Sequence, residues 1–147
     1  MSNVKEVVPF LWVSSMERSL YYYVDSLGFQ MKYKGVVDGK VRWCWLTLGA
    51  AALMLQESAK VPQGKLGEGV SLCFMCEDAL AIYGELRSRG IEASEPQVGN
   101  GSWETTLSDP DGYRLNFASP TDISEDTKLS EVKARRPILP IPPILPS

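Results

Sequence analysis

Histidine is absent from all 147 residues. That absence removes the Ser-His-Asp and Cys-His catalytic groupings, the HExxH zinc site and the two-His-one-carboxylate iron site. It also removes the side chain most often used as a general base near neutral pH. Any chemistry must rest on carboxylates, amides, hydroxyls or thiols. Cysteine is scarce, with three residues. The opening Met-Ser-Asn-Val-Lys-Glu lacks the charged and apolar regions of a signal peptide. The three thiols are therefore expected to be reduced and the chain cytoplasmic. No apolar run approaches the ~20 residues that span a bilayer. Charge is nearly balanced, with 15 Lys+Arg against 18 Asp+Glu for a net charge of −3. Without a basic block, neither nucleic acid nor a membrane surface is an expected partner.

What is present is enough apolar sequence, 44% of the chain, to build one ordinary core. A chain of this length buries about 68–70% of its unfolded surface. Two helices stand out. The first follows Ser14-Ser15, with Glu17 in capping-box position relative to Ser14. Leu20, Tyr23, Val24 and Leu27 form its apolar face, and Gly28 suits its end. The second starts at Asp78, presents Ala79, Ile82, Tyr83 and Leu86 at the same spacing, and stops at Gly90. Apolar runs 7–13 and 70–76 precede these helices. Hairpin signals, Asp38-Gly39 and Asn100-Gly101, follow them. Each hairpin leads into a Trp-bearing strand (41–48 and 103–107), a turn at Gly49 or Asp109-Pro-Asp-Gly112, and a closing strand (52–56 and 113–118).

The spacing makes this a repeat. Ser15 to Asp78 is 63 residues, Gly28 to Gly90 is 62, Asp38 to Asn100 is 62 and Gly49 to Gly112 is 63. The expected fold is α+β, two tandem βαβββ modules at about 6–57 and 68–119 joined by a linker at 58–67. With one helix covering one face of each sheet, the other faces are free to form a cup with a central cavity.

The stretches 9–29 (Pro-Phe-Leu-Trp through Leu-Gly-Phe), 53–57 (Leu-Met-Leu-Gln-Glu), 77–83 (Glu-Asp-Ala-Leu-Ala-Ile-Tyr) and 109–117 (Asp-Pro-Asp-Gly-Tyr-Arg-Leu-Asn-Phe) resemble the vicinal-oxygen-chelate superfamily. That group holds lactoylglutathione lyases, extradiol dioxygenases and bleomycin resistance proteins, and the resemblance covers roughly 6–119. It implies paired modules around a cupped sheet. It also implies metal ligands on the first and last strand of each module, which here fall at Val8, Met54, Ser71 (or Val70) and Asn116. None of these supplies the imidazole or carboxylate that a hard or borderline divalent ion needs. The scaffold is kept without its metal centre, and no cofactor is expected.

Strand parity sorts the candidate ligand-binding residues. Phe10 and Trp12 share the parity of Val8. Trp43 and Trp45 lie on one strand face, Gln56 and Ala52 go with Met54, Cys73 and Met75 with Ser71, and Arg114 with Asn116. Such a set suits an apolar or aromatic ligand needing a few hydrogen bonds. Plain core packing is the competing reading for any single Trp. For the set, buried Arg114 and Gln56 would need partners, which favours a pocket. Cys73-x-x-Cys76 cannot pinch one metal from a strand, so the cysteines are expected to be small buried hydrophobes. Glu17, Asp78 and the acids of Asp109-Pro-Asp-Gly read as caps and turn formers. Of Tyr21-Tyr22-Tyr23, one ring should face the core and at least one outward, as interface or as solvated surface. Residues 120–147 form a tail outside the modules, with five prolines in the last eleven residues.

The expected function is sequestration of a small molecule by a metal-independent homodimer, with the tail packed on the partner subunit. Two alternatives stay open. One is a lyase, isomerase or dioxygenase holding metal through carboxylates such as Glu57 or Glu104. The other is a non-catalytic interaction protein that uses its tail.

Overall fold

The computed structural model describes residues 1–60 and 65–134. Two four-stranded mixed sheets carry the fold. Module one contains β1 (Phe10–Val13), α1 (Met16–Leu20), β2 (Gln30–Val37), β3 (Lys40–Leu48) and β4 (Ala51–Glu57). Module two contains β5 (Ser71–Met75), α2 (Ala79–Ser88), β6 (Gln97–Gly99), β7 (Ser102–Ser108) and β8 (Arg114–Pro120). The strand orders are β1-β4-β3-β2 and β5-β8-β7-β6, each with one parallel pair at its edge. The repeat survives in register: β1 pairs β4 as Phe10 with Met54, and β5 pairs β8 as Cys73 with Asn116, positions related by 63 and 62. Both hairpins turn as the sequence asks. Asp38 and Gly39 have φ of 52° and 75°, and Asn100 and Gly101 have 51° and 73°, the left-handed pairs of a type I′ turn.

The two modules share one core. The inward faces of both sheets, including Leu11, Leu46, Leu55, Leu107, Leu115 and Phe117, close on the first helical segment. That segment departs from expectation at both ends. Its N-cap is Ser15, which accepts from the Arg18 N–H at 3.3 Å, and Glu57 accepts the Met16 N–H at 2.7 Å. Ser14 is occupied elsewhere, on Asp111. After Leu20 the helix widens into a π-helical turn over Tyr21–Ser26, with the Leu27 N–H donating five residues back to the Tyr22 carbonyl. This widened turn carries Tyr23 fully into the core while Tyr21 stays two-thirds exposed.

The Asp109-Pro-Asp-Gly112 turn is more than a turn. Asp109 accepts hydrogen bonds from the Tyr23 hydroxyl (2.7 Å) and from the Asp111 and Tyr113 N–H groups (2.9 and 2.8 Å). Asp111, fully buried, accepts from the N–H and hydroxyl of Ser14. The Tyr113 hydroxyl donates to the Trp12 carbonyl at 2.7 Å. One loop of module two thus ties the β1–α1 corner of module one. Gly67 lies so close beneath this turn that a Cβ there would sit 2.0 Å from the Tyr113 nitrogen.

Residues 121–134 are a fitted part of module two rather than a free tail. The Val98 N–H donates to Thr127, and the Asp126 and Leu129 N–H groups donate to Val98 and Pro96, covering the β6 edge. Helix α3 (Leu129–Ala134) sets Leu129 and Val132 on a small second core of Ala79, Val98 and Trp103. The proline-rich segment 135–147, read above as packing on a partner, lies outside the described residues. Among the described residues, no helix is long and apolar enough to cross a membrane.

Candidate functional site

The face of each sheet turned away from the shared core carries the candidate residues. In module one, β-pairing aligns Phe10, Met54, Trp45 and Tyr33 in one row, and Trp12, Gln56 and Trp43 in the next. Phe10 and Trp12 meet edge to face with ring centroids 5.7 Å apart, each nearly half exposed. Gly35 on β2 leaves room for the Trp43 ring, whose atoms would lie 3.6 Å from a Cβ there. A β-bulge between Met31 and Tyr33 turns Lys32 over this face. Its ammonium lies 5.3 Å from the Tyr33 ring and 5.6 Å from the Trp45 ring, within cation–π reach. The Trp45 indole N–H is buried and has no acceptor.

Module two presents the equivalent rows with different chemistry. Ser71, Arg114 and Ser108 align, then Cys73, Asn116 and Thr106, then Met75, Ala118 and Glu104. Where module one has Phe10, Trp12, Trp43 and Trp45, module two has Cys73, Met75, Glu104 and Thr106 at the corresponding register positions. The Thr106 hydroxyl donates to Asn116 Oδ1 at 3.4 Å, which leaves the Asn116 amide N–H₂ to donate outward. The remaining tryptophan, Trp103, points the other way into the small second core.

Strand pairing groups these positions by face, but the described residues do not bring all of them around one enclosed space. Phe10, Trp12, Trp43, Trp45, Met54 and Gln56 lie on one open face. Ser71, Cys73, Met75, Arg114 and Asn116 lie on another. A groove of about 760 Å³ runs beside edge strand β5, touching Ser71, Cys73 and Met75 together with Ala52 and Pro9 of module one. Arg114 is exposed rather than buried. Sequence reasoning missed Lys32 and Tyr33, because the bulge that places Lys32 leaves no mark in a period-two pattern.

The cysteines divide. Cys44 is fully buried, and burial pushes its thiol up to about 11. Cys76 lies against the core and donates to the Ala118 carbonyl at 3.3 Å, with burial again raising its thiol. Cys73, expected to be buried, is exposed, since edge strand β5 leaves its outward face uncovered. Labelling with a thiol reagent at pH 8 should modify Cys73 before Cys76, and leave Cys44 untouched until unfolding. Mass spectrometry of the labelled peptides checks the order. Fast labelling of Cys44 would contradict the packing described here.

The positions where the fold would place metal ligands do not suit one. Val8, Met54, Ser71 and Asn116 offer no imidazole or carboxylate, and they are divided between the two faces. The carboxylates considered instead do not converge. Glu57 turns to the core side, binds the Met16 N–H and pairs with Arg42, whereas Glu104 lies on the outer face of β7, toward Gly99. Among the described residues, no three metal-binding side chains of the His, Cys, Asp or Glu types gather.

Several solved structures share this architecture. A glyoxalase family protein from Enterococcus faecalis is 24% identical, with a TM-score of 0.66 over 80% of this chain and 99% of its own. A bleomycin-binding protein complexed with bleomycin is 20% identical, with a TM-score of 0.66 over 80% of this chain and all of its own. An antibiotic-binding protein from Streptomyces sp. CB03234 is 21% identical, with a TM-score of 0.61 over 80% of this chain and 98% of its own. Comparison with curated protein sequences gives no match. The family model for the Glyoxalase/Bleomycin resistance protein/Dioxygenase superfamily matches residues 5–117, nearly the whole of both modules, and the chain belongs to that superfamily.

Proposed function

We propose that this protein is a metal-independent binder that sequesters an apolar or aromatic small molecule, without breaking a bond in it. The observation that carries the reading is the pair of open faces. They are equivalent in topology and complementary in chemistry, one aromatic and the other lined with isolated donors. The exposed, adjoining rings of Phe10 and Trp12 support a binding surface there. In a homodimer, the aromatic face of one copy closes over the polar face of the other and gives each ligand both kinds of contact. The likeness to antibiotic-binding proteins supports a small-molecule ligand.

Two measurements test this. Light scattering on a sizing column should return a dimer mass, and a tryptophan-fluorescence screen of aromatic compounds should yield saturable quenching. A monomer with no responsive compound would defeat the reading. Titration with Zn, Ni, Fe(II) and Mn should leave the thermal transition unmoved, because the ligand positions hold no suitable donors. A stoichiometric stabilising shift would redirect the search to lyase or dioxygenase chemistry.

A further inference from the structure

The charged and polar groups on the two faces also indicate the charge of the ligand. Among the described residues the ion pairs are Arg42 with Glu57 and Arg89 with Glu85, so Arg114 and Lys32 are both without a carboxylate partner. Arg114 is exposed and stands between Ser71 and Ser108. Asn116 lies two residues along the same strand face, about 7 Å away, with its oxygen engaged by Thr106 and its N–H₂ free. The row is therefore rich in donors. Within the strand rows the acid is Glu104, which sits four residues along β7 from Ser108, about 13 Å distant, and leans over Gly99 at the hairpin. Glu68 and Glu92 line the grooves that Arg114 also lines, without pairing with it. The aromatic face adds one further donor, the Lys32 ammonium above its rings. Gln56 donates to the Glu57 carbonyl at 3.4 Å, which leaves its side-chain oxygen as an outward acceptor.

We propose that the ligand is a planar aromatic acid, its ring system stacked on the tryptophans of module one and its carboxylate held by Arg114 with the Asn116 amide beside it. This rests on the reading that the two faces together take one small molecule. A guanidinium fork matches a carboxylate in two parallel hydrogen bonds, and Asn116 supplies a third donor at its edge. The attraction is local, since the chain as a whole carries a net charge of −3. A cationic ligand would meet Arg114 and Lys32, neither of them neutralised by an ion pair among the described residues.

Calorimetric titration at pH 7.5 with 2-naphthoate, its neutral isostere 2-naphthamide and 2-naphthylmethylammonium separates the possibilities. The acid should bind about tenfold or more tighter than the amide, and the cation should bind weakest. Arg114→Gln should bring the acid close to the affinity of the amide, weaken the amide far less than the acid, and keep the thermal transition in place because Arg114 has no ion pair to lose. Equal binding of acid and amide, or a preference for the acid that survives Arg114→Gln, would overturn the anionic assignment while leaving an aromatic site. No binding of any of the three up to about 5 mM would overturn the two-face reading along with it.

Discussion

Asp109→Ala should lower stability by about 3 kcal/mol, a fall in the thermal midpoint of roughly 6–12 °C for a chain of this size. The side chain accepts three hydrogen bonds at 2.7–2.9 Å, and its removal strands each donor. The Tyr23 hydroxyl is the costliest, because that residue is fully buried in the core between the modules and water cannot replace the carboxylate. Burial also lifts the Asp109 carboxyl above the usual range, while its hydrogen bonds pull the other way, so part of the gain from those bonds is spent on desolvation. Tyr23→Phe removes only one of the three bonds and should cost about 1–2 kcal/mol. Placed on top of Asp109→Ala, it should cost almost nothing, since the bond is already gone. Urea denaturation of the four proteins gives the coupling directly. Strict additivity would mean that the buried pair does not tie the modules as described.

That tie shows where the sequence is legible and where it is not. Asp-Pro-Asp-Gly announces a turn through local backbone preferences, and the turn is there. Its second use depends on a π-helical turn delivering Tyr23 from 86 residues away, and no local pattern encodes that meeting. The two modules were legible because both their elements and the offsets between their landmarks repeat. Ser14 shows the opposite case. It has the spacing of a capping-box residue, yet Asp111 takes it and Ser15 becomes the cap. Residues 121–134 read as polar tail because much of their anchoring is to backbone groups at and beside β6, and backbone partners leave no side-chain signature.

The candidate site was legible as faces and not as a closed space. A strand's period of two fixes which residues of one strand share a face, so Trp12 went with Phe10 and Arg114 with Asn116 on sequence alone, and pairing across β1, β4, β5 and β8 agrees. Which face meets which depends on how whole modules pack, and that is set by the shared core behind them. The sequence pattern is equally compatible with a cavity inside one chain and with one completed by a second copy. Exposure favours the second: Met75, two-thirds exposed, and Trp12, nearly half exposed, have no cover among the described residues.

Trp43→Ala should therefore damage binding far more than folding. The indole lies on the open face of β3 above Gly35, half-buried, and touches the core only through its strand. Its loss should lower stability by about 1 kcal/mol or less, in the range for residues outside the tightly packed interior. Leu55, on the opposite face of the neighbouring strand and fully buried, supplies the contrast. Leu55→Ala should cost about 2–5 kcal/mol and leave the affinity of the folded fraction nearly unchanged. A stacked aromatic anchor at the centre of a site contributes about 2 kcal/mol or more, so Trp43→Ala should weaken ligand binding roughly thirtyfold. Trp12→Ala should behave in the same direction, and Phe10, which packs its ring against Trp12, less strongly. Because the same face would also meet a second copy, each variant is measured for mass as well as affinity. A dimer that no longer binds places Trp43 against the ligand, whereas a monomer places it at the interface. Equal losses of stability and affinity in Trp43→Ala and Leu55→Ala would reduce the aromatic face to ordinary packing.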